Sequence, residues 1–156
     1  MAEKPVPGTF CWNELMTKDA AAAKSFYAAL FGWKMADMPM PNGRYTILKH
    51  GGKDVGGLMQ IGPEMGEAPS HWMGYVLVGN VDAATRKAGL LGAKVHIGGM
   101  DIPGVGRFGL FEDPTGAMLS VFQPLRVPAA AKPARAKAKK PAQRAAPGTA
   151  KKARRR

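Results

Sequence analysis

Apolar and aromatic positions crowd Phe10 to Thr17 and predict a strand. Beyond it Ala23, Phe26, Tyr27 and Leu30 fall at i, i+3, i+4 and i+7, the stripe of an amphipathic helix, with Asp19 placed to cap it and Gly32 to stop it. Trp33 to Met38 predicts a second strand, broken by Pro39-Met40-Pro41-Asn42-Gly43. Arg44 to His50 predicts a third, and Gly51-Gly52-Lys53 turns the chain into a fourth, Asp54 to Ile61. Gly62 to Ser70, rich in Gly, Pro and Glu, is a linker, after which the order returns. His71 to Gly79 is a strand, Asp82 to Leu91 a helix weakened by about 1 kcal/mol at Gly89, and Ala93 to Ile97, Arg107 to Glu112 and Ala117 to Gln123 are strands. Asp113-Pro114-Thr115-Gly116 has the residues of a hairpin turn.

The return is in order as well as in kind. Gly43-Arg44-Tyr45-Thr46-Ile47-Leu48 reappears as Gly106-Arg107-Phe108-Gly109-Leu110-Phe111, an offset of 63 that also pairs Gln60 with Gln123. Upstream, Cys11-Trp12 aligns with His71-Trp72 and Gly32-Trp33-Lys34-Met35 with Gly92-Ala93-Lys94-Val95, at an offset of 60. Two like modules of strand, helix and three strands follow, and a site is expected where they meet.

Charge separates the chain into two parts. Residues 1–125 carry eleven Lys and Arg against eleven Asp and Glu, so the whole net charge of +12 lies in residues 126–156, which hold twelve Lys and Arg and no acid. From Arg126 on there is no aromatic residue and Val127 is the one large aliphatic, too little apolar surface to offset ordering entropy, so a disordered tail is expected over 124–156. Its cations, Lys132, Arg135, Lys137, Lys139, Lys140, Arg144, Lys151, Lys152, Arg154, Arg155 and Arg156 among them, would neutralise phosphates without reading bases, or would simply stay solvated. The single cysteine, Cys11, fits a reducing compartment, and no apolar run approaches the roughly 20 residues of a membrane span, which together point to the cytoplasm and away from membranes.

Three stretches carry a resemblance: Thr17-Lys18-Asp19 through Ser25-Phe26-Tyr27 to Leu30-Phe31-Gly32, Val81-Asp82-Ala83-Ala84 to Leu91-Gly92-Ala93-Lys94-Val95, and Phe111-Glu112-Asp113-Pro114-Thr115-Gly116. In these the chain resembles the vicinal oxygen chelate superfamily of glyoxalase I, extradiol dioxygenases and bleomycin-resistance proteins. The resemblance implies an α+β fold in which two tandem βαβββ modules form a cupped mixed sheet. Its bounds here are an N-terminal extension over 1–8, module 1 over 9–61, the linker over 62–70, module 2 over 71–123 and the tail. The modules would pair either within one chain or by exchange across a homodimer. The family's metal ligands come from the first and last strands of each module. Counted along its pattern, those positions land on Trp12, Gly57, Met73 and Ser120, none a usual ligand for a divalent cation, so no cofactor is expected. Glu14 and His71, two residues away on the same strand faces, are the candidates for displaced metal ligands, which would make the protein a metal-dependent lyase or dioxygenase.

The same parity draws a pocket without metal. Phe10, Trp12, Glu14 and Met16 would share one face of the first strand, opposite His71, Met73, Tyr75 and Leu77, with Met59, Ser120 and Phe122 completing the wall. Aromatic and Met side chains with a few polar groups suit a small, partly apolar or aromatic molecule, oriented by Glu14, Tyr75 or Ser120; the alternative is a solid core. Gly104-Val105-Gly106-Arg107-Phe108-Gly109 matches the dinucleotide fingerprint in letters alone, since a strand rather than a helix should follow it. Gly98 to Pro103 is expected either as a mobile rim over the cavity or as a plain surface connection, and Cys11, on the face opposite Trp12, as a buried inert thiol rather than a nucleophile.

Overall fold

The computed structural model describes residues 6–40 and 43–125; the expectations for the first five residues and for the tail from Arg126 lie outside them. The elements are β1 (Phe10–Thr17), α1 (Ala20–Phe31), β2 (Lys34–Met40), β3 (Gly43–His50), β4 (Lys53–Gln60), a short 3-10 turn (Pro63–Met65) in the linker, β5 (His71–Leu77), α2 (Val81–Leu90), β6 (Lys94–Ile102), β7 (Gly106–Glu112) and β8 (Met118–Pro124). All eight strands form one open sheet in the order β2-β3-β4-β1-β5-β8-β7-β6. The two βαβββ modules meet edge to edge within this chain, where β1 and β5 run antiparallel. In each module the first strand lies parallel to the last, β1 on β4 and β5 on β8.

Both helices cover the same face of the sheet. On it Leu15, Leu48 and Leu58 form a buried cluster under α1, with Ala23, Tyr27, Trp33 and Met35 packed against them. α2 buries its own Val81 and Thr85 against the sheet, where Val121 of β8 is buried, and the close approach is made at Gly109, where a Cβ would stand 2.5 Å from Thr85 Cγ2. Asp19 caps α1 by accepting from the Ala22 amide at 2.9 Å, and Gly32 ends it in the left-handed conformation at φ 66°. Asn80 caps α2 through the Ala83 amide at 2.7 Å, so this helix starts one residue before the expected Asp82.

The repeated glutamines have the same task in both modules. Gln60 Oε1 accepts from the Ala20 amide at 3.1 Å and Gln123 Oε1 from the Val81 amide at 3.0 Å. Each reaches from the last strand of its module to an orphan donor in the first turn of the helix, which ties helix to sheet.

Several expectations need correction. β2 continues through Pro39 and Met40: its ladder with β3 runs from Lys34–Lys49 to Met40–Gly43, and β2 is an edge strand, where a proline is tolerated. Gly98 to Ile102 is not a rim loop but the second half of β6, which stays on β7 across two register shifts. Pro124 belongs to β8, opposite Gly106, and not to the tail. The helical stripe is only half used: Ala23 and Tyr27 face the core, while Phe26 and Leu30 remain 59% and 57% exposed. Phe26, Tyr27, Phe31, Trp33 and Trp72 instead stack in a chain of ring contacts along α1. Among the described residues no helix is long and apolar enough to cross a membrane.

Candidate functional site

The face of the sheet without helices carries the candidate chemistry, and strand register decides which side chains reach it. Trp12 pairs with Tyr75, Glu14 with Met73 and with Gly57, Met16 with His71 and with Met59, and Tyr75 with Ser120. Cross-strand partners share a face, so Trp12, Glu14, Met59, His71, Met73, Tyr75, Ser120 and Phe122 all belong to this one. Phe10 does not: the register shifts between Phe10 and Trp12, Phe10 pairs with Val76, and its ring covers Gly74 on the helix side. Leu77, opposite Phe122, stays on the site face.

Glu14 is the centre. It is buried, at 7% exposure, and both carboxylate oxygens accept hydrogen bonds from phenols, Oε2 from Tyr45 at 2.7 Å and Oε1 from Tyr75 at 3.1 Å. Trp12 Nε1 donates in turn to the Tyr45 hydroxyl at 2.9 Å. Ser120 is buried beside the Tyr75 phenol. Burial pushes the Glu14 carboxyl above its usual range, against the downward pull of the two phenols. Burial also pushes both phenols upward, reinforced by the neighbouring carboxylate, so Tyr45 and Tyr75 remain donors at any ordinary pH. No Lys, Arg or His among the described residues forms an ion pair with Glu14.

Tyr45 is absent from the pocket expected from sequence. It reaches the site from β3, over Gly57: a Cβ on Gly57 would lie 1.8 Å from the Tyr45 hydroxyl oxygen and 3.1 Å from Trp12 Nε1. The repeat contained the clue, since Tyr45 aligns with Phe108 as Met59 with Phe122 and Gly57 with Ser120, all odd offsets that preserve the strand face. The alignment of Trp12 with Trp72 at an offset of 60 does not preserve it. Trp72 pairs with Leu15, and its indole donates to Tyr27 on the helix side at 3.1 Å.

The donor set is a poor match for a divalent metal. The counted positions do come together in the middle of the sheet, but they offer an indole, a Gly without a side chain, a thioether and a hydroxyl, and Glu14 beside them is already held by two neutral phenols. His71 stands on the same face, and its Nδ1–H donates to the Pro69 carbonyl at 2.7 Å. Among the described residues no three of His, Cys, Asp and Glu gather in a way that could hold a metal ion.

Other features fall outside this face. Cys11 is half-buried; its thiol donates to the Tyr75 carbonyl at 3.4 Å, and burial pushes its pKa up, which keeps it protonated. The glycine-rich Gly104–Gly109 stretch leads into β7, and its Arg107 makes two bonds to Asp82, at 2.8 and 3.1 Å, and one of 2.8 Å to Asp101. A hollow of about 450 Å³ opens beside those ion pairs, lined by Asp82, Thr85, Arg86, Gly89, Val95 and Gly98. Asp82 there is exposed and committed to Arg107, and the hollow lies beside α2, behind the sheet from Glu14.

Comparisons with known proteins agree with this architecture. The profile of the Glyoxalase/Bleomycin resistance protein/Dioxygenase superfamily matches residues 10–121. CFP32 of Mycobacterium tuberculosis, which bears a glyoxylase name, is 42% identical over 118 residues, covering 75% of this chain and 44% of that protein. The anthracycline biosynthesis protein DnrV of Streptomyces peucetius is 32% identical over 130 residues, 75% of this chain and 47% of its own. The match therefore spans less than half the length of either curated relative. Methylmalonyl-CoA epimerase from Mycobacterium tuberculosis superposes with a TM-score of 0.57 at 14% identity, covering 80% of this chain and 93% of that one. The Mn(II)-bound glyoxalase from Novosphingobium aromaticivorans gives 0.53 at 21% identity, over 75% and 39%. With the profile covering most of the chain, and the paired βαβββ modules in place, the protein belongs to the glyoxalase/bleomycin resistance protein/dioxygenase superfamily.

Proposed function

We propose that this chain binds a small, partly apolar or aromatic molecule on the helix-free face of its sheet, without a divalent metal. The observation that carries the reading is the network in which Tyr45 and Tyr75 hold Glu14. It places one fixed polar group amid Trp12, Met59, Met73 and Phe122, and a few placed polar groups in an apolar surround are what orient small ligands. The anthracycline biosynthesis relative favours a fused aromatic scaffold, which Trp12 and the methionines would meet by stacking and dispersion. A cytoplasmic setting agrees with Cys11 as an unpaired thiol. The test is a titration with 1,8-dihydroxyanthraquinone, a neutral fused aromatic probe, followed at the Trp12 indole N–H by NMR with and without chelator. Saturable perturbation of that signal, unchanged by chelator and weakened in Met73→Ala, which keeps the reporter indole, supports the reading. No perturbation of Trp12 by this probe, or binding that disappears with chelator, defeats it.

A second reading is favoured by the charge distribution. We infer that residues 126–156, with twelve cations and no acid, attach the protein to nucleic acid through phosphates. Retention on duplex DNA should fall steeply with salt and should not depend on sequence. Changing the Lys and Arg of 132–156 to Gln should abolish it, and undiminished retention rejects it.

A further inference from the structure

Glu14 is a buried carboxylate between aromatic rings, and it lacks what buried carboxylates usually have, a cation. Every ion pair of the described residues involves other acids: Asp37, Asp54, Asp82, Asp101 and Glu112. Taking an ionised carboxylate out of water is costly unless opposite charge or hydrogen bonds compensate it. Here two phenol donors compensate it in part, one to each oxygen, and each oxygen keeps a further lone pair. The surrounding rings of Trp12, Tyr45 and Tyr75 are half-buried rather than sealed, so one side of the cluster faces outward on the helix-free sheet. Rings of this kind attract organic cations through their π-faces, and they do so more strongly where water is excluded.

We propose that the Glu14 carboxylate, framed by Trp12, Tyr45 and Tyr75, receives a protonated amine on the ligand. This rests on the reading of the helix-free face as a small-molecule site and specifies its substrate class: a primary or secondary ammonium carried by an aromatic or apolar scaffold. The ammonium donates to the free lone pairs of Glu14 while its alkyl group lies against the rings and Met73. Tyr45 and Tyr75 hold the carboxylate in place, so no reorganisation is needed when the cation arrives. The groups that face Glu14 from the neighbouring strands are Tyr45 on β3 and Tyr75 on β5, both fixed as neutral donors, and His71 at the start of β5, engaged with Pro69. β4 presents Gly57 and Met59, which carry no charge.

A matched pair of probes tests this on the whole chain: 2-(naphthalen-2-yl)ethylamine, and the corresponding alcohol, which has the same ring and linker without the charge. Binding is read at the Trp12 indole N–H, told apart from Trp33 and Trp72 by Trp→Phe variants. The ammonium should bind about tenfold or more tightly than the alcohol, the difference a charge-assisted hydrogen bond makes. Glu14→Gln should remove that preference while the alcohol still binds. Equal affinity of the two probes, or a preference that survives in Glu14→Gln, overturns the amine assignment and leaves the aromatic site standing. Failure of both probes to move Trp12 overturns both. Tyr45→Phe, which retains the ring and the carboxylate, guards against a folding artefact: it should reduce the preference without abolishing it, and an unchanged preference counts against the framed carboxylate.

Discussion

The Tyr45 hydroxyl reaches Glu14 Oε2 at 2.7 Å across a space that exists because residue 57 is glycine. A phenol from β3 and a carboxylate from β1 therefore meet over β4, the strand between them. The positions that the superfamily resemblance marks for metal ligands are here surrounded by a network of neutral donors around one acid.

Gly57→Ala tests this relationship. The added methyl would stand 1.8 Å from the Tyr45 hydroxyl oxygen, so the ring has to leave and Glu14 loses one of its two donors. The expected loss is about 1–3 kcal/mol of stability, from a buried acceptor left short of a partner. Chemical denaturation measures it, and the Trp12 indole signal should shift as well, since its acceptor moves with Tyr45.

The pH dependence follows from burial. Glu14 titrates above the usual carboxylate range in the folded protein, so the folded state holds this proton more tightly than the unfolded chain does. Stability attributable to Glu14 is therefore greatest at acid pH. It falls as pH rises from the ordinary carboxylate value through the raised one. Glu14→Gln should flatten that part of the stability–pH curve. Removing a phenol in Tyr75→Phe should displace the folded value further upward, visible in the carboxyl carbon shift of Glu14.

The repeated glutamines give a matched pair of substitutions. Gln60→Ala and Gln123→Ala each leave one amide of a first helical turn without its acceptor, at Ala20 and at Val81. Each should cost about 0.5–2 kcal/mol, the range of a lost helix-terminal acceptor. Gln123→Ala should be the larger, because Val81 is fully buried and water cannot take over. Thermal unfolding of the two variants side by side checks both magnitude and order.

Gly109→Ala should destabilise module 2. Its methyl would meet Thr85 Cγ2 at 2.5 Å and the Ile97 carbonyl oxygen at 3.1 Å, and α2 cannot back away without stretching the 2.6 Å bond from Thr85 to the Gly98 carbonyl. A loss of about 1–3 kcal/mol by chemical denaturation is expected. Thr85→Ser combined with Gly109→Ala should recover part of it, since it removes the methyl that is struck.

The sequence revealed the modules, their element order and most of the side chains that share the helix-free face, because strand and helix periods and the duplicated Gly and Gln positions can be read directly along the chain. Three things were not local. Tyr45 enters the site only through the pairing of β3 with β4, which brings it opposite Met59. Phe10 leaves it through one register shift that reverses its face. Trp72, matched letter for letter with Trp12, lies on the other side of the sheet, since from Trp12 on the β1–β5 register pairs even-numbered with odd-numbered residues and an even offset therefore reverses the face. The length of β6 was hidden for a related reason: Gly98 and Gly99 suggest a loop, but Gly99 leaves room for the Arg107–Asp82 pair, where a Cβ would lie 2.6 Å from both partners.

The central claim is that the Glu14 face receives a small molecule, and a crystal structure of the protein with 2-(naphthalen-2-yl)ethylamine addresses it most directly. Density is expected for the ring against Trp12 and Met73, with the amine nitrogen within hydrogen-bond distance of a Glu14 oxygen. Density confined to the aromatic row of α1 or to the hollow beside α2, with the Tyr45–Glu14–Tyr75 network closed and untouched, would contradict it.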